Sequence, residues 1–445
     1  MATPFLAACF LILPGEATLK AGFAAVDITP ETGAEIPGGF GKLVSEGTRD
    51  PLFTVAAVFS DGQTTLALVG IDALAIPRGV VEEARKVIER ETGIAAANVL
   101  AGASHTHSGG PIFDGFGSAA DPAYLARVAR AIAETVRQAH GGLRAAEAGI
   151  ASGREDTIAY NRRFLMRDGR EITHPGKPGT THHGEIVRPA GPIDPEVGVL
   201  AVREGERVRG LVVNYTCHVT VIGGRRFSAD YVGALRRRLE EAYGAGTPVV
   251  FLQGACGDVT QVDNMSPRTE FGPEHADLMG AKLAAEVVRT VAGAPWSKEL
   301  PLAAASVQEP VSIRPEPDPD AERPPFGLGS GQDAVFAAER ARVAEIRKAT
   351  PVIRTEVQAL RLGPLGIAAT EAEYFCEYGL RIKAASKHPR TWVVGYANGY
   401  VGYVTTAQAM VGGGYEVRTA RSSMLSIDAG QRILEAAIRA LGEVR

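Results

Sequence analysis

Cysteine is scarce in this chain: Cys9, Cys217, Cys256 and Cys376 stand far apart, and none forms a Cys-x-x-Cys pair. That spacing argues against a structural zinc knuckle and against a disulfide-dense scaffold, the two settings in which cysteine carries a fold. Long apolar runs are equally lacking. Nothing approaches the roughly 20 consecutive apolar residues that cross a bilayer as a helix, so a membrane-embedded body is not expected. An excess of one charge is missing too. The 47 Lys and Arg against 51 Asp and Glu leave a formal charge of -4 with no long basic block, so nothing favours a polyanionic partner, and nucleic-acid binding is set aside.

What the chain has in quantity is glycine and proline, 52 and 27 of them, which point to many turns between short elements. With 45% hydrophobic and 22% charged residues the composition is that of a globular protein, and 445 residues suffice to bury a site inside one large domain or several ordinary ones. Residues 4–13 form a short apolar stretch with no Lys or Arg before it. It reads either as an N-terminal extension or as a signal segment, so residues 1–20 are set apart from 21–445, and a cytoplasmic and an exported location both stay open.

Apolar alternation predicts strands over 21–28, 52–59 and 64–71, the last two joined by the turn Asp61-Gly62. A helix over 78–92 and a buried strand over 96–102 follow, and the strand delivers a histidine segment into a loop. Asp121-Pro122 reads as the cap and first residue of a helix running to 139. Further on come strands at 208–216 and 248–252, helices at 231–243 and 274–291, and a proline-bearing loop or insertion at 314–331. The last stretch reads as a helix at 333–350, a hairpin at 355–362 and 367–370, a helix at 374–385, a strand at 392–397 and a final helix at 429–441. No repeat is evident. The fold class is α/β, with mixed β-sheets flanked by helices in a single catalytic domain.

His105 and His107 are separated by one residue, so on an extended segment both imidazoles point to one side and can converge on one ion or one water. The plain alternative is a polar turn. His218, Glu373 and Tyr403 also fall at or just after predicted strand ends. Imidazole, carboxylate and phenolate oxygen are acceptable zinc ligands, but each residue has a structural alternative: a core histidine, a helix N-terminal acid and a packed aromatic. Asp72 and Asp230 are candidates for orienting a ligand imidazole. The pair His182-His183 reads as solvated, and Arg236 to Arg238 as the exposed face of a helix.

In order, the segments Val26-Asp27-Ile28-Thr29-Pro30, Ser104-His105-Thr106-His107-Ser108-Gly109, Asn161-Arg162, Val213 to His218, Gly257-Asp258-Val259, Glu373 and Asn398 to Tyr403 resemble the neutral ceramidase family over about residues 21–419. The resemblance implies a catalytic N-terminal domain over 21–445 and a zinc ion (Zn2+) held by His105, His218, Glu373 and Tyr403. It further implies that His107 and Arg162 contact the reacting amide or its developing oxyanion. One departure concerns chemistry: where the family has a serine, this chain has Thr260, whose added methyl group disfavours direct attack and leaves hydrogen bonding to substrate or water. The expected function is zinc-dependent hydrolysis of an amide, N-acyl amides being the candidate class, with zinc-activated water as nucleophile. The partner is a small or lipid-like amide. An esterase on the same metal site and an inactive binding relative are the alternatives.

Overall fold

The hairpin expected around Asp61-Gly62 forms, with Phe53–Ser60 pairing antiparallel to Thr65–Ile71. Asp61 holds the turn by accepting hydrogen bonds from the N–H groups of Gln63 and Thr64, the side-chain mimicry that makes Asp a turn residue. The chain then crosses through the helix Arg78–Thr92 and returns as Val99–Ala103, parallel to Thr65–Ile71. In this computed structural model, which describes residues 18–315 and 330–445, the same unit occurs twice more. Glu196–Glu204 and Arg207–Tyr215 form a hairpin, followed by the helix Asp230–Tyr243 and the parallel strand Val249–Gln253. Val352–Leu362 and Leu365–Thr370 form another, followed by Cys376–Ala385 and the parallel strand Arg390–Val394.

Antiparallel neighbours extend each unit: Lys20–Asp27 in the first sheet, Glu147–Arg154 in the second, Leu302–Ser312 in the third. The inner faces share one core, in which Leu68, Leu100, Val212, Leu252, Leu360, Ile367 and Trp392 are all buried. The approach is close. A Cβ on Gly70 would lie 2.5 Å from the carbonyl oxygen of Phe251, so only glycine lets the first sheet touch the backbone of the second there. Helices cover the outer faces. Pro122–Gly141 turns Val128, Ile132 and Val136 onto the first sheet, each contributing about 1.5–3 kcal/mol by leaving water. Pro273–Ala292 covers the second sheet and Ala429–Glu443 the third.

The three parallel edge strands end at one place. Ala103 N–H donates to the carbonyl of Tyr396, Gly395 N–H to that of Gln253, and the Gln253 side-chain amide to that of Ser104. In open α/β sheets the carboxyl ends of strands are where loops meet to form sites.

The structure corrects several expectations. Residues 96–98 are a 3-10 turn ahead of the strand. Tyr374 belongs to a short strand, Ala372–Tyr374, and the helix starts at Cys376. The strand predicted over 392–397 stops at Val394 because Tyr396 and Asn398 take positive φ, 53° and 64°, which no strand accommodates. Arg237 and Arg238 are exposed as expected, but Arg236 turns inward onto Asp72. The apolar stretch at 4–13 and residues 316–329 of the proline-bearing loop lie outside the described residues.

Candidate metal centre

His105 follows the parallel strand of the first unit and is itself left-handed, φ 69°, a conformation that costs an ordinary residue free energy and clusters at functional sites. Its N–H donates to Ala73 and its ring stacks on Tyr396 at 4.2 Å. His218 follows the hairpin strand Arg207–Tyr215 of the second unit, and Glu373 sits in the strand that follows the hairpin of the third. Glu373 and Tyr403 are register partners in the parallel pair Ala372–Tyr374 and Gly402–Val404. Each of the three units therefore delivers one part of the site.

The imidazole tautomers follow from their partners. Nδ1 of His105 lies 2.6 Å from the carbonyl of Leu74, Nδ1 of His107 lies 2.8 Å from that of Gly38, and Nδ1 of His218 lies 2.7 Å from that of Cys256. A carbonyl only accepts, so each Nδ1 donates, and in a neutral ring the lone pair then sits on Nε2. Those lone pairs converge: the ligand atoms of the three histidines lie within 4.8 Å of one another. Nε2 of His107 is 3.2 Å from Nε2 of His105, and Oε1 of Glu373 is 3.3 Å from Nε2 of His105 and 3.0 Å from Nε2 of His218.

Acceptors that close repel unless a cation stands among them. Loss of hydration on burial, with the neighbouring imidazoles of His105 and His218, holds His107 well below the usual histidine range; burial and the charge of Arg162 push His218 down to about 4. Burial raises the Glu373 carboxyl, but His105 and His218 outweigh it and hold it well below the ordinary value. Imidazole nitrogens beside a carboxylate are a donor set that suits zinc.

Arg162 lies fully within the site. Its Nε donates to Glu416 at 3.0 Å, one NH2 to the carbonyl of Gly257 at 2.7 Å and to the Tyr403 hydroxyl at 3.1 Å, and the other faces Nε2 of His218 at 3.3 Å. Tyr403 and Tyr415 share a hydrogen bond between hydroxyls at 2.9 Å. Thr260 follows Val259, whose carbonyl accepts from Nδ1 of His218, but its hydroxyl donates to the Gln261 side chain at 2.8 Å. Asp258 ties the units together, accepting from the Cys376 N–H at the helix start and from the Asn161 amide. Burial raises its carboxyl to about 6.

Neither acid singled out in the sequence orients an imidazole. Asp72 accepts from the Phe53 N–H and pairs with Arg236; Asp230 accepts from the N–H groups of Ile222 and Tyr231. Backbone carbonyls do the orienting, and these have no signature in sequence. His182 and His183 are half-buried, outside the three-histidine cluster. Sequence reasoning missed Tyr400, whose hydroxyl donates to Oε2 of Glu373 at 2.7 Å, and Glu416, which anchors Arg162 and Arg163. Tyr400 stands two positions after Asn398, inside a segment already singled out; Tyr415 and Glu416 carry no motif.

No protein-family model matches the chain, and no curated protein matches it in sequence. Solved structures do. The crystal structure of neutral ceramidase from Pseudomonas aeruginosa is similar at TM-score 0.73 with 17% identity, over 96% of this chain and 74% of that one. A structure described as ceramidase complexed with C2 is similar at TM-score 0.72, also 17% identical, over 96% and 75%. The chain has the fold of the neutral ceramidases.

Proposed function

We propose that this protein is a zinc-dependent hydrolase of amide bonds, with N-acyl amides of the ceramide kind as its substrate class. The observation that carries this reading is the cluster of three imidazoles, with a Glu373 oxygen 3.3 Å from Nε2 of His105 and 3.0 Å from Nε2 of His218. His105, His218, Glu373 and Tyr403 would hold the ion, and residues 21–445 act as one catalytic unit. Bound zinc supplies Lewis acidity, which polarises a carbonyl and lowers the pKa of water to roughly 7.

The remaining work falls to the chain's own groups. Arg162, fixed on four sides, presents permanent positive charge beside the cluster and balances the charge that develops on the carbonyl oxygen. His107, neutral and with its Nε2 lone pair toward the cluster, takes a proton from the attacking water and returns it to the leaving amine. The Thr260 proton is committed to an amide oxygen, which is no base, so attack by water is favoured over attack by threonine.

The test is metal analysis of the purified protein followed by turnover of N-acyl sphingosines, N-acyl amino acids and simple esters. Stoichiometric zinc with hydrolysis of an N-acyl amide is expected. Zinc with ester hydrolysis alone would change the bond, and a protein that takes up no divalent metal would end the reading.

A further inference from the structure

The two carboxylate oxygens of Glu373 have different neighbours. Oε1 lies 3.0 Å from Nε2 of His218 and 3.3 Å from Nε2 of His105, whereas Oε2 accepts a hydrogen bond from the Tyr400 hydroxyl at 2.7 Å. A hydroxyl that close to a carboxylate makes a bond of the strong, charge-assisted kind. Oε2 is therefore engaged before any ion arrives.

Tyr400 is itself firmly held. Two positions earlier the left-handed Asn398, φ 64°, donates its N–H to the carbonyl of Ala101 at 2.7 Å, accepts from the Ala101 N–H at 3.0 Å and donates its amide to Gln358 at 2.8 Å. One position later the Val401 N–H donates to the carbonyl of Glu371 at 3.0 Å. The Tyr400 ring meets Phe113 edge-on at 5.7 Å and lies nearly parallel to Tyr396 at 6.5 Å, and Tyr396 in turn stacks on His105. Glu373 is fixed from its own side by the strand pairing that sets it opposite Tyr403. Neither partner is free to drift from the other.

A carboxylate holds a cation through one oxygen or through both, and the choice decides how many ligands the ion collects. Zinc is at ease with four, whereas manganese and magnesium favour six. We propose that Tyr400 is a positioning residue: its hydroxyl occupies Oε2, so that Glu373 offers Oε1 alone to an ion among the imidazoles, and the site thereby favours zinc over ions of higher coordination. This rests on the zinc reading above and adds the residue that sets the ligand's mode.

Tyr400→Phe tests it, since the ring keeps its contacts with Phe113 and Tyr396 and only the hydroxyl is lost. Metal-free parent and variant are titrated with Zn2+ and with Mn2+, and the visible absorption of each is recorded with Co2+ bound. Zinc affinity should fall by roughly ten- to hundredfold in the variant. Manganese affinity should fall less, narrowing the preference for zinc, and the cobalt bands should weaken as the freed oxygen raises the coordination number. A general loosening of the site would instead weaken both ions alike. The thermal midpoint of the metal-free proteins identifies a misfolded variant, and Tyr400→Leu, which also lacks the hydroxyl, then takes its place. An unchanged preference for zinc over manganese with unchanged cobalt bands overturns the role of Tyr400 alone. A parent that takes up neither zinc nor cobalt overturns the zinc reading, and the role with it.

Discussion

His105 and His107 put two imidazoles on one point, yet the resemblance to ceramidases gives them different tasks. Replacing His105 with Ala should abolish zinc binding, since a ligand is lost and Glu373 is left beside unsatisfied partners. His107→Ala should keep near-stoichiometric zinc while turnover falls by about 10²- to 10⁴-fold, the range for loss of a general acid-base group. Metal analysis and kinetics on the same two preparations decide between them. Equal zinc loss would make His107 a ligand, an outcome its 3.2 Å approach to His105 leaves room for. In the same series Thr260→Ala should retain appreciable turnover; a loss as complete as that of His105→Ala would assign the attack to its hydroxyl.

Elements were readable where local chemistry announces them. Asp121-Pro122 looked like a cap and first residue, and the Asp121 carboxylate does accept from the N–H groups of Ala123 and Tyr124. Asp121→Ala should lower the unfolding free energy by about 1 kcal/mol, measured by denaturant titration, and leave zinc content untouched; an unchanged midpoint would mean the cap contributes nothing. The helix over 78–92 was legible to the residue from its apolar spacing, and Gly93 ends it in the left-handed conformation. What escaped were features set from a distance. Arg236 looked exposed because its two neighbours are, and only the arrival of Asp72, 164 positions away, turns it inward. The strand ends early at Val394 ahead of the left-handed Tyr396, whose ring stacks on His105. The site itself was half legible: side chains with ligand chemistry stood out, whereas the carbonyls of Leu74, Gly38 and Cys256 that set their tautomers could not.

At the scale of the whole molecule, burial of charge sets the pH response. Asp230 is buried at the start of its helix, and loss of hydration raises its carboxyl from 3.8 to about 7. The folded chain then keeps a proton that the unfolded chain releases, so this group's contribution to stability is full below pH 3.8 and is lost as pH rises through about 7. Asp230→Asn cannot ionise. Its thermal midpoint relative to the parent should move upward between pH 5 and pH 8, and a difference independent of pH would show that Asp230 is charged throughout. The threefold recurrence of hairpin, helix and parallel strand has another consequence, one of time. His105 and His218 stand 113 positions apart and Glu373 a further 155 beyond, so no single unit, folded early and locally, holds more than a fraction of the ligands. Contacts of such separation form late because chain closure must precede them. On the proposed zinc reading, tight metal capture during refolding would report the arrival of the last unit, and a nascent chain released before Glu373 has left the ribosome would carry the histidines without their neighbouring carboxylate.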